Sequence, residues 1–90
     1  MNKTNLINEI LGYQNKIGMI DLFLGKHSKA DFSWGYYFDE VSKTFKVYKN
    51  GERGMASIRY SGEDEIEALT TLLNMVKAQS IMLSRIRTSR

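Results

Sequence analysis

The chain has 90 residues, of which 42% are apolar and 11% aromatic, carries a formal net charge of +3, and contains neither cysteine nor proline. This composition lies well outside the low-hydrophobicity regime of disordered chains, and the lack of cysteine removes disulfides, thiolate nucleophiles and thiolate metal sites together. No apolar run approaches the ~20 residues that a membrane-crossing helix needs, and the opening MNKTNLINEILGY places Asn and Glu where a signal peptide needs an apolar stretch, so a single cytoplasmic domain over residues 1–90 is expected.

KTNLINEILGY carries Leu6, Ile7, Ile10 and Leu11 at helical spacing, with Thr4 as candidate N-cap and Gly12 placed to end the helix. In the following segment, residues 14–24, Ile17, Ile20, Phe23 and Leu24 fit a second helix, although Gly18 weakens one and so short a run also suits a strand. GKHSKAD is polar and reads as a loop. Three alternating segments come next, FSWGYYFD, TFKVYK and MASIRY, which predict an antiparallel meander of three strands. A four-residue loop over residues 40–43 joins the first two. Asn50-Gly51 is a strong two-residue hairpin signal for the second connection, and it would set Lys49 opposite Glu52 and Tyr48 opposite Arg53. SGEDEIEALTTLL opens a long helix, with Ser61 able to cap it, Asp64 able to complete a capping-box-like pair, and acidic residues in the first turn. Its apolar stripe, Ile66, Leu69, Leu73, Val76 and Leu83, continues to about Arg87, and residues 85–90 read as a frayed basic tail. The expected fold is thus α+β: a three-stranded antiparallel meander packed against one or two N-terminal helical segments and a long C-terminal helix.

No catalytic constellation is visible. The single histidine, His27, sits in a polar loop without a nucleophile pattern, and Asp39 with Glu40 reads as a solvated turn rather than an acid and base pair. No metal-ligand spacing occurs, and Gly51 and Gly54 lie between strands rather than before a helix, so neither a metal, a cofactor nor an enzymatic activity is expected. The order helix, three strands, helix is also that of double-stranded RNA binding domains. Those carry a lysine cluster at the start of the second helix, where this chain has GEDEIEA, which repels phosphate.

With a four-residue loop at 40–43, alternation places Phe32, Trp34, Tyr36, Phe38, Phe45, Val47, Ala56, Ile58 and Tyr60 on one face, the expected core beneath the helices. The opposite face then presents Tyr37, Tyr48, Arg53, Met55 and Arg59, residue types enriched in protein interfaces, and these five are the candidate partner-binding residues. Two alternatives stand beside this: a face covered by the segment around Ile17 to Leu24, and a single-stranded nucleic-acid platform with Tyr37 and Tyr48 as stacking rings among Lys46, Arg53 and Arg59. Ile81, Met82, Leu83 and Ile86 near the end of the long helix either fold back on the first helix or meet a second copy of the chain or a partner.

SWGYYFDE, VYKNGERG and EDEIEAL together resemble the small α+β immunity proteins encoded beside bacterial polymorphic toxins, over roughly residues 31–72. The resemblance implies a cytoplasmic antidote that binds and blocks a cognate protein toxin, with Glu52, Arg53 and Gly54 as the family's turn motif. The first 30 residues have no part in it.

Overall fold

A computed structural model, describing residues 2–88, has the order α1 (Lys3–Leu11), β1 (Asp21–Leu24), β2 (Ser33–Asp39), β3 (Thr44–Asn50), β4 (Ala56–Gly62) and α2 (Glu65–Thr88), with short 3-10 turns at Gln14–Lys16 and Glu52–Gly54. The fold is α+β as expected, but the sheet has four strands, not three, and is mixed. Its order is β1-β2-β3-β4, with β1 parallel to β2 and the other pairs antiparallel.

The extra strand comes from the segment expected as helix. After α1 the chain makes one 3-10 turn, reverses at Gly18 with φ of 72°, and runs extended from Asp21. Gln14 holds that reversal, its amide donating to the Ile20 carbonyl and its Oε1 accepting from the Leu22 N–H. Gly12 ends α1 as expected, whereas the N-cap is Asn2 rather than Thr4: its Oδ1 accepts from the Asn5 N–H at 2.8 Å. Asp64, not Ser61, caps α2, accepting from the N–H groups of Ile66 and Glu67. That helix continues through Thr88, covering most of the segment expected as a tail, and Ser89 and Arg90 lie outside the described residues.

Both helices pack on one face of the sheet. Leu6 and Ile10 of α1 meet Ala68, Leu69, Leu72, Leu73 and Val76 of α2 over Trp34, Tyr36 and Val47, with Ile17 and Ile20 closing the side. The loop over residues 40–43 forms as expected, closed by the Asp39–Thr44 pair. Tyr36 donates to Glu65 Oε2 at 3.2 Å, and Lys3 pairs with the same carboxylate, which ties the starts of both helices to the sheet. Burial, reinforced by the Glu65 charge, pushes the Tyr36 hydroxyl up to about 12.

The second hairpin departs from the expected register. Asn50 pairs with Ala56, so a five-residue loop replaces the Asn50-Gly51 turn, and Lys49 and Tyr48 face Ser57 and Ile58 rather than Glu52 and Arg53. Gly51 takes a negative φ, its N–H donating to the Met55 carbonyl, while Arg53 adopts the left-handed conformation with φ of 56°. Further along, a bulge lies between the pairs Val47–Tyr60 and Tyr48–Ile58. The extra residue, Arg59, reverses the alternation of everything before it. Tyr60 therefore keeps its place toward the helices, but Ala56 and Ile58 leave the expected core for the opposite face, where Ile58 is exposed. Phe32, also expected in that core, lies before β2 in the left-handed region, and Phe38 is partly exposed at the strand's far end.

Candidate protein-binding site

The two sides of the sheet have different fates. On the face away from the helices, loop 25–32 folds over β2 and β3. Gly35 of β2 makes this possible: a Cβ there would collide with the Phe23 carbonyl and approach the Tyr48 hydroxyl at 2.7 Å. The Tyr48 ring from β3 reaches across that notch, its hydroxyl donating to the Lys26 carbonyl at 2.7 Å and accepting from the Ser28 N–H at 2.9 Å. His27 stacks on Tyr37 with centroids 4.3 Å apart and meets Tyr48 edge-on. Asn50 donates to the carbonyls of Ser28 and Ala30 and to Ser33 Oγ, and Ser33 Oγ donates to the Ala30 carbonyl. These bonds satisfy the backbone of a loop that would otherwise be costly to bury.

This closure decides the standing of the five candidate residues. Tyr48 is fully buried, so it is a strut of the fold and has no surface to offer a partner. Burial pushes its hydroxyl above the ordinary tyrosine value. Tyr37 is half-buried under His27, and the pair of rings therefore does not form an open stacking platform. The cover comes from loop 25–32 rather than from the segment Ile17 to Leu24, whose first part closes the core and whose last four residues form β1 at the sheet's edge. Arg53 is exposed at the hairpin tip, its N–H donating to Asp31 Oδ2, and Met55 next to it is 73% exposed. Arg59 leaves the face away from the helices, where it was expected, because the bulge turns it toward α2.

Arg59 leads to the part of the molecule left open. β4 is an edge strand, largely exposed along its length, and α2 runs beside it. Between them lies a groove of about 200 Å³ lined by Trp34, Lys49, Arg59, Met75, Ala78, Gln79 and Met82. Two shallower depressions continue it, one toward Ile58 and Thr71 and one toward Met55 and Gly51. Lys49 lies over the Trp34 ring at 5.1 Å, fixing the cation at the groove wall. Past Val76 the apolar residues of α2 are no longer covered: Leu83 sits beside Gly18, but Ile81, Met82 and Ile86 are exposed.

The groove was not legible as a unit in the sequence, since its wall residues come from β2, β3, β4 and α2 and its shape depends on the bulge. The loop network of Ser28, Ser33 and Asn50 was missed as well. Gly35 set among aromatics was the available signal, because glycine inside a strand marks close approach of another group. Among the described residues no cluster of three or more His, Asp or Glu could hold a metal ion, and no helix is long and apolar enough to cross a membrane. Comparisons with family models, curated proteins and solved structures gave no match.

Proposed function

We propose that this protein is a non-catalytic protein-binding module, an immunity-type inhibitor that binds and neutralises a cognate toxin. The observation that carries the binding reading is the open β4 edge, with Ile58 exposed on it, Met55 exposed just before it and Met82 across the groove. Methionine and isoleucine at an exposed edge cost solubility and invite strand pairing, a liability that proteins ordinarily blunt unless the edge is used. The toxin as partner rests on the resemblance of residues 31–72 to immunity proteins.

The test is affinity capture from the native host with wild type and with Met55→Glu, Ile58→Glu. One dominant protein, lost in the variant, supports the reading. When that protein is expressed alone it should arrest growth, and co-expression of the present chain should relieve the arrest. Recovery that depends on nucleic acid, or a captured protein harmless on its own, overturns it.

A further inference from the structure

The geometry points to a specific docking mode: an extended segment of the partner adds as a strand to β4, placing one apolar and one acidic side chain into the groove between β4 and α2. The inference rests on the protein-binding reading and names the chemistry of what is bound. Three observations carry it. First, among the described residues no strand lies beside the outward edge of β4, and its alternating N–H and C=O groups are matched by the backbone of a peptide. Second, the groove floor and far wall are apolar, Trp34, Met75, Ala78 and Met82, and suit an aliphatic anchor. Third, the groove is cationic. Lys49 and Arg59 line it, and among the described residues no carboxylate lines it or the two depressions that extend it and neither cation is in an ion pair.

A second copy of the chain fits this edge poorly. Antiparallel pairing of two β4 strands about a two-fold axis within Ala56–Ile58 gathers Lys49 and Arg59 of both copies at the seam, so like charges oppose it. Nucleic acid fits poorly too, because Trp34 is buried with its ring covered by Lys49, and two cations do not track a phosphate backbone. The bulge at Arg59 limits regular pairing to Ala56–Ile58, so the added strand is short and its side chains supply the specificity.

The probe is a capped seven-residue peptide with Leu, Glu and Leu at its second, fourth and sixth positions and Ser or Thr elsewhere, so that alternation puts all three on one face. We expect saturable binding, with chemical-shift changes in the amides of Ala56–Ile58. Binding should weaken at least tenfold when Lys replaces the peptide's Glu or when the backbone of alternate peptide residues is N-methylated. Lys49→Glu with Arg59→Glu should invert the preference in favour of the Lys peptide, circular dichroism showing that the variant is folded. Equal binding of both peptides, shifts confined to loop 25–32, a wild type that dimerises through β4, or displacement of the peptide by single-stranded DNA overturns the mode. If the peptide fails while Met55→Glu, Ile58→Glu still loses its captured protein, strand addition is overturned and the protein-binding reading stands.

Discussion

The middle strands under loop 25–32 and the β4 edge beside α2 both carry aromatic or apolar and polar side chains, yet one region is closed and the other open. On the closed side, loop 25–32 brings three backbone carbonyls and an N–H within reach of Tyr48 and Asn50, and every side-chain polar atom buried among the described residues finds a partner. Along the open edge, β4 and α2 have no covering loop, and Met55, Ile58 and Met82 stay in solvent. Residue type alone therefore does not decide which aromatic or apolar group meets a partner. What decides it is whether a loop can satisfy its own backbone while lying on that surface.

The comparison makes Trp34 the most informative position, because its ring is core on one side and groove floor on the other. Trp34→Ala should cost about 3–5 kcal/mol, enough to unfold much of a domain this size, and urea denaturation followed by circular dichroism measures it. An unchanged midpoint would show that the groove floor is separable from the core. Next in size is Asn50→Ala, which strips three hydrogen bonds from the closed side. Leaving the Ser28 carbonyl without its donor, while the Ala30 carbonyl keeps Ser33 Oγ, should cost about 1–3 kcal/mol, and the amide of Ser28 should exchange markedly faster with solvent. If stability falls without faster exchange at Ser28, the network does not hold the loop.

The alkaline limb tests the tie between sheet and helices. The Tyr36 hydroxyl has its value raised in the folded state, so its contribution is complete below the ordinary tyrosine value of about 10 and is lost as pH rises toward about 12. Tyr48 and Tyr60 are shifted in the same direction, by burial first. Urea midpoints should therefore fall between pH 10 and 12, and less steeply in Tyr36→Phe. At the acid end Asp39 works in the opposite sense. Its carboxyl is held below its ordinary value by the Val41 N–H, then by Lys46 and Ser42, so its contribution is present at neutral pH and fades as pH drops through the lowered value. The smallest effect belongs to the open side: Met55→Glu with Ile58→Glu should change stability by no more than about 0.5 kcal/mol while abolishing partner capture. A large loss of stability there would mean that β4 is packed more like the closed face.

Local chemistry carried much of the architecture. Gly12 ended α1, the alternation of Trp34, Tyr36 and Val47 set the buried face, and the acidic turn before Ile66 opened α2. What sequence spacing missed depends on long-range contacts. Ile17, Ile20, Phe23 and Leu24 repeat as a helix would, but the first two plug the core from a turn while the last two belong to a strand that exists only because β2 offers it an edge. Asn50-Gly51 has the chemistry of a tight turn, but the Asn50 amide is engaged by the carbonyls of loop 25–32, and the chain closes five residues wide instead. Of the candidate site, Arg53 and Met55 are exposed, but in the five-residue loop rather than on the sheet face where alternation put them. Arg59 was misplaced because a single extra residue in β4 is invisible to a period-two count, and Tyr48 because nothing in its own strand marks the loop that covers it.

Gly35 has a mechanical consequence. A side chain from β3 passes over β2 at the one point where β2 has no side chain, and fastens to the segment that links β1 with β2. The Tyr48 ring acts as a cross-brace, so a load pulling β1 away from β3 is shared between the strand ladder and one aromatic truss. Loop 25–32 should consequently yield together with the sheet, as a single cooperative failure, rather than peel off first as a surface loop of eight residues otherwise would.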